Sequence, residues 1–253
     1  MSKTIKKGFV SDKINGISIN NSLKCKSSNY NNKTSRIITY IVMHYTGNVK
    51  DTAKANANFF ATNSVEASAH FFVDNTNIYQ SVELRDIAWH CGAKVYYHSS
   101  CRNANSIGIE MCCTAGNFTI ADKTVRNAAY LCAYLCKEVG IKAKNVDKYV
   151  LRHYDVTHKT CPAQMVKDAD EWKAFKTMVK NILEGKNIDG SIDPYLVRVT
   201  SSTLKVYDKA DKKSKVNTKV KKNEVFTIVE EKDGWGKLKS GAGWIYLKNT
   251  KKV

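Results

Sequence analysis

Between Leu151 and Met165 the chain reads LRHYDVTHKTCPAQM, which places His153, His158, Lys159 and Cys161 close together beside one of only two prolines. Far upstream, His44 ends the apolar, β-rich stretch RIITYIVMH, where a side chain leaves a sheet and faces a cleft. Two imidazoles and a thiolate, here His44, His153 and Cys161, make a three-ligand zinc set that keeps a fourth position for water. A cation held there would lower the pKa of that water to about 7. Glu110 is embedded in the apolar run SIGIEMC, where a charge is costly without a partner or a task. Its carboxylate could take a proton during attack and return it to a leaving amine. Lys159, two residues before Cys161, could reach toward an oxyanion forming on a polarised carbonyl. Together these groups describe amide hydrolysis. On the residues alone three readings stay open: this metal site, a Cys161 nucleophile with His153 as its base, and a surface loop in which Glu110 pairs with Arg152.

The elements that must position these residues alternate between strand and helix up to about residue 185. Arg36 to His44 reads as a buried strand, and Asp51 is placed to cap a helix through KANANFFATN. ASAHFFVDNTNIYQSV reads as a hairpin turning at Asp74-Asn75-Thr76-Asn77, and Asn105 to Cys112 as a further strand. Asp122 is placed to cap a long helix in which Val125, Ala128, Leu131, Cys132, Leu135 and Val139 recur at three- and four-residue spacing, with Gly140 ending it. A last helix, VKDADEWKAFKTMVKNILEG, turns Trp172, Phe175, Val179 and Ile182 to one face. The pattern predicts an α/β fold with a mixed central β-sheet flanked by helices. Lys186 to Tyr195 reads as a linker. Beyond it, YLVRVT, TLKVY, EVFTIVEE, GWGKLK and GWIYL alternate with turns, as in a small all-β barrel or sandwich. The expected boundaries are 1–185, 186–195 and 196–253.

At 253 residues and net charge +18, the chain favours polyanionic partners: nucleic acid, an anionic membrane or an anionic wall polymer. The 58 residues from Leu196 onward hold 15 Lys+Arg against 6 Asp+Glu, the same +9 excess that the first 195 residues spread over their whole length. The eight cysteines form no CxxC pair, so they read as reduced interior thiols, with Cys91 and Cys101 left open as a pair. The start, MSKTIKKGFVSDKING, lacks the apolar stretch of a secretory signal, and no apolar run reaches the ~18 residues that a spanning helix needs.

VMHYTGN, ASAHFFVD, IAWHCG, NSIGIEMC and LRHYDVTHKTCP occur in this order and resemble the zinc-dependent N-acetylmuramoyl-L-alanine amidases, a family that includes peptidoglycan recognition proteins and many phage endolysins. The resemblance covers roughly residues 30 to 185. It implies one zinc ion on His44, His153 and Cys161, with Lys159 and Glu110 as the catalytic pair. Some members use a tyrosine where this chain has Ala69, which leaves Glu110 alone as base. His70, Trp89 and His90 match positions that line the substrate groove; His98 and His158 match no role and read as solvated. The tail, with VRVTSSTLKVY and DGWGKLKSGAGWIYL, resembles a bacterial SH3-like wall-binding domain, in which Trp235 and Trp244 are partly structural and Tyr207 and Tyr246 could face a ligand. The resemblance implies an endolysin made in a host cytoplasm, with peptidoglycan and its anionic polymers as partners, acting on the wall after release. Two other classes are weighed against it. A non-catalytic peptidoglycan binder would lack a metal ligand, and a basic nucleic-acid-binding protein with structural zinc would need a reader motif. Neither feature is found.

Overall fold

The computed structural model describes residues 3–186, 188 and 194–253. Backbone contacts divide the chain after Lys186 into two compact units. Most of the segment expected to be a linker, residues 186–195, lies outside the described residues.

The first unit is built on a seven-stranded mixed sheet. At its centre Tyr40–Tyr45 runs parallel to both Ser106–Met111 and Val150–Arg152, and Phe71–Val73 runs parallel to the far side of Ser106–Met111. These strands are rich in β-branched and aromatic residues and are buried on both faces, as parallel strands covered by helices must be. Phe71–Val73 turns back into Ile78–Gln80. Asp74 makes that turn, accepting from the backbone N–H groups of Thr76 and Asn77 at 2.8 and 2.7 Å. The outer strands Ile17–Asn20 and Lys13–Ile14 complete the sheet. Both are short, with isoleucine alternating with polar residues, too brief for the patterns above to assign them.

Period-two alternation assigns the two faces of this sheet. Ile41, Met43, Ile107, Ile109 and Met111 point to one side and are fully buried. The helix Asp122–Val139 packs against their strands and against the helix Ala169–Leu183. The apolar positions expected along the first of these helices are buried, apart from the half-buried Val125, and Gly140 ends it at φ 83°. That left-handed cap suits a residue without a side chain. Tyr40, Val42 and His44 point to the other side, with Ser106, Gly108 and Glu110 beside them in register.

Three expectations about helix ends are corrected. Thr52, not Asp51, caps Ala53–Thr62, because its hydroxyl accepts from the Ala55 N–H at 3.2 Å. Asp51 is drawn away to the Cys113 N–H at 2.6 Å. Ala121 occupies the cap position before Asp122, which lies inside the first turn. The last helix is two pieces, Ala163–Lys167 and Ala169–Leu183, because Asp168 leaves the helical conformation and accepts from the N–H groups of Asp170 and Glu171. Trp172, Phe175 and Val179 are buried as expected, and Ile182 is half-buried. All eight cysteines, Cys91 and Cys101 included, are buried free thiols.

The second unit is a seven-stranded antiparallel sheet around Val197, Val199, Leu204, Val206, Ile228, Leu238 and Ile245. The expected pieces form strands. Val216–Lys221 and Thr250–Lys252, both lysine-bearing, are added at the two ends of the strand order. Trp235 is buried and Trp244 half-buried.

Phe175 is fully buried and stacks on Trp172 with ring centroids 5.5 Å apart. Phe175→Ala is expected to destabilise the first unit by about 3–5 kcal/mol, read as a lowered unfolding free energy in urea; a loss under about 1 kcal/mol would mean that this helix is not tied to the core.

Candidate functional site

The carboxyl ends of three parallel strands bring the distant residues together, the edge at which open α/β sheets present ligand sites. His44 is the fifth residue of Tyr40–Tyr45 and Glu110 the fifth of Ser106–Met111, and the two are direct register partners. Val150–Arg152 lies on the other side of the His44 strand, and His153 begins a one-turn helix just beyond it. The Arg152 backbone N–H donates to Asp155 Oδ2 at 2.8 Å, and its guanidinium donates to Asp155 Oδ1 at 2.7 Å and to the Met165 carbonyl at 2.8 Å. Arg152 therefore braces the turn and does not serve as partner to Glu110. The chain then folds back so that the Tyr154 N–H donates to the Cys161 carbonyl at 2.9 Å, which delivers the thiol to His44.

His44, His153 and Cys161 are buried, and one donor atom from each lies within 4.8 Å of the others. His44 Nδ1 is 3.1 Å from His153 Nδ1 and 3.8 Å from Cys161 Sγ. Ligands around tetrahedral zinc stand about 3.3 Å apart for two nitrogens and about 3.6 Å for nitrogen and sulfur, from the usual bond lengths. The donor set therefore fits such an ion in chemistry and in spacing. Glu110 Oε1 is 4.0 Å from His44 Nδ1, while its Oε2 is buried without a hydrogen-bond partner. That acceptor is available to a cation, a water or a substrate N–H.

Burial governs the protonation of every group here. It holds His44 well below the usual imidazole range, helped by the neighbouring His90, His153 and Lys159. It lowers His153 to about 4, again with Lys159 contributing. It raises Cys161 to about 12, with Glu110 adding to the rise, and Glu110 to about 8, with Lys159 opposing. The imidazoles are thus neutral donors at pH 7.

A cavity of about 300 Å³ opens over these residues, with Trp89, His90 and Lys159 also on its wall. Lys159 is exposed at the mouth and Trp89 half-buried. A second cavity of about 410 Å³ shares Thr46, Phe60 and Glu110 with the first and continues past Asn48, Asp51, Asn56 and Phe59. Sequence reasoning missed this second stretch. Its one signal is Phe59, an aromatic left 48 % exposed beside the inward-facing Phe60.

Of the expected groove residues, His90 lines the first cavity and His70 does not. His70 is fully buried away from both cavities. Its Nδ1 accepts from the Gly108 N–H at 3.0 Å and its Nε2 lies 2.7 Å from the Arg36 guanidinium, so it braces the sheet. His90 reaches the cavity wall, but both of its ring nitrogens are engaged within the protein, at 3.0 Å from His44 Nε2 and 3.2 Å from Ser106 Oγ. His98 is half-buried, its Nδ1 accepting from the N–H groups of Ser100 and Cys101, whereas His158 is exposed as expected, with a left-handed φ of 60° and its ring stacked on Tyr97.

In the second unit Tyr207, Trp235 and Tyr246 line a groove of about 560 Å³ together with Lys205, Lys212 and Lys248. The Lys212 ammonium lies 4.7 Å from the centre of the Tyr246 ring.

Comparison with known proteins adds to this geometry. Residues 33–164 match the family model described as N-acetylmuramoyl-L-alanine amidase, and residues 200–252 match the bacterial SH3 domain. The chain is 35% identical over 159 residues to a probable N-acetylmuramoyl-L-alanine amidase of Bacillus licheniformis, a match covering 60% of this chain and 44% of that protein. It is 33% identical over 159 residues to N-acetylmuramoyl-L-alanine amidase BlyA of Bacillus subtilis, covering 58% and 42%. The chain thus spans less than half the length of these curated relatives. Among solved structures, the catalytic domain of XlyA superposes with a TM-score of 0.53 at 30% identity, covering 64% of this chain and 99% of that one. PlyL superposes with a TM-score of 0.52 at 27% identity, covering 64% and 97%.

Proposed function

The chain belongs to the N-acetylmuramoyl-L-alanine amidase family, and from that premise we propose that it cleaves the amide between N-acetylmuramic acid and the L-alanine of a peptidoglycan stem peptide, as a phage or prophage endolysin. The observation that carries this reading is the register pairing of Glu110 with His44 beside the buried His153 and Cys161. His44, His153 and Cys161 would hold one zinc ion, which when bound supplies a Lewis acid to the scissile carbonyl and to the attacking water. Glu110, whose ionised form is opposed by burial and favoured by Lys159, can as a carboxylate accept a proton from that water and hand it to the leaving amine. Lys159, exposed at the mouth, brings an ammonium to the carbonyl oxygen as it gains charge. Trp89 offers an aromatic face to a sugar at the cavity rim, and Asn48, whose amide nitrogen donates to Asp51 at 2.8 Å, offers its amide oxygen along the neighbouring cavity to the stem peptide.

The second unit serves as the wall anchor. Aromatic faces pack on sugar or polyol, and lysines attract phosphate or carboxylate. Lys205 stands directly opposite Lys219 on the paired strand, a like-charge juxtaposition that is unfavourable alone and relieved by an anion. Anchoring raises the local concentration of cleavable bonds. No helix among the described residues is long and apolar enough to cross a membrane, and the wall is the proposed place of action.

Incubation with purified walls should release new L-alanine amino groups and no new reducing ends, and should stop on full removal of zinc by a chelator. Reducing ends without amino groups would mean a glycosidase, and amino groups that persist without zinc would remove the metal mechanism. Glu110→Gln should keep zinc and wall binding and lower turnover about 10²–10⁴-fold; undiminished turnover would take the base role from Glu110.

For the anchor, replacing Lys205, Lys212 and Lys248 together by Gln should weaken co-sedimentation of the full chain with walls and flatten its salt dependence, since exposed charges are screened beyond about 8 Å at physiological ionic strength. Unchanged binding at low salt would move the anchor site elsewhere.

A further inference from the structure

We propose that His90 is a positioning residue: with Ser106 and the Arg102 carbonyl behind it, it fixes the proton of His44 on Nε2 and thereby leaves His44 Nδ1 bare toward the other two donors. The inference rests on the reading of His44 as a zinc ligand and assigns to His90 a task other than contact with substrate.

The chain of hydrogen bonds has one consistent direction when followed from its far end. The Arg102 carbonyl can only accept, and Ser106 Oγ lies 2.7 Å from it, so the serine hydroxyl donates there. Ser106 Oγ must then accept from His90 Nε2, 3.2 Å away, so a His90 ring that carries one proton carries it on Nε2 and keeps a lone pair on Nδ1. His90 Nδ1 is 3.0 Å from His44 Nε2, so His44 donates through Nε2–H. A His44 ring that carries its single proton on Nε2 has its lone pair on Nδ1, the atom 3.1 Å from His153 Nδ1 and 3.8 Å from Cys161 Sγ. The opposite tautomer would aim an N–H into the cluster and exclude a cation. Outer partners of this kind orient a ligating imidazole and raise its basicity, and their loss typically lowers metal affinity about 10–100-fold.

The surroundings hold the His90 ring in this place. The backbone N–H groups of His90 and Cys91 both donate to Asn103 Oδ1, at 3.1 and 2.8 Å. The ring lies over Gly108, where an added Cβ would come within 2.5 Å of His90 Cγ. Glycine is therefore required at the centre of the Glu110 strand for close approach, since the ring occupies the space that a side chain would take.

The test is zinc affinity, measured by competition with a chromophoric chelator, together with the His44 tautomer read from ¹⁵N shifts of the zinc-free protein. His90→Ala should lose about 10–100-fold in affinity and show a mixture of His44 tautomers. His90→Asn, whose amide oxygen can replace Nδ1 as acceptor, should recover most of both. Ser106→Ala should give a smaller loss, and adding it to His90→Ala should cost nothing further, because the two act through one path. Gly108→Ala should reproduce the His90→Ala effect by displacing the ring. Wild-type affinity in a folded His90→Ala protein, or in Ser106→Ala should the first variant not fold, would overturn the proposal, as would additive losses. Failure of the wild-type chain to bind zinc at all would instead overturn the metal reading beneath it.

Discussion

A buried pocket that keeps basic nitrogen atoms free of protons is the constraint on which the first unit turns. Water is excluded from His44, His153 and Cys161, and exclusion disfavours whichever form of each group carries charge. The imidazoles stay neutral, while the thiol and the Glu110 carboxyl are pushed toward neutrality as well. Left alone, the pocket is a low-dielectric enclosure with two lone pairs and two acidic protons. A divalent ion held there would reverse that balance, because its own charge would outweigh the desolvation of the ligands and favour the thiolate. Uptake of the ion and release of protons would then be a single event.

The parallel sheet makes this enclosure possible. A strand positions its residues at fixed intervals of about 3.3 Å, and three strands in register hold the Glu110 and His44 side chains abreast with the His153 turn beside them. The helix Asp122–Val139 covers the opposite face of the same strands, so the alternation that buries Met43 and Ile109 also turns His44 and Glu110 to the face over which the cavity opens. Specificity of position comes from the core, and chemistry from the places where the core pattern is broken by polar residues. The second unit carries no comparable enclosure among its described residues. Its aromatic and cationic side chains lie along an open groove, which suits holding a polymer more than transforming one.

Much of this was legible in the residues. The central strands, the long amphipathic helix ending at Gly140, the hairpin at Asp74 and the separate β-rich tail all follow from periodicity and turn chemistry. The three donors were brought into one set by ordered motifs, since spacing alone could not join residue 44 to residue 153. What escaped was decided by competition between partners. Asp51 and Thr52 can each cap a helix, and only the fold shows that the Cys113 N–H claims the aspartate. Asp168 looks like one more surface charge until it divides a helix. The outer strands are too short to announce themselves. The histidines illustrate the limit best: nothing in FFV or WHCG distinguishes His70, locked against Arg36 and the sheet, from His90, hydrogen-bonded to His44.

The lysines on Val216–Lys221 and Thr250–Lys252, at the two ends of the tail's strand order, bear on how copies of the chain behave toward one another. An outermost strand offers unpaired backbone groups, and another sheet can join there unless something makes the approach unfavourable. Lys219 and Lys221 at one end, with Lys251 and Lys252 at the other, would have to meet their own kind in any edge-to-edge stacking. The same charge that suits the tail to an anionic surface thus keeps crowded copies dispersed, so neutralising it for selectivity would also remove the safeguard against aggregation.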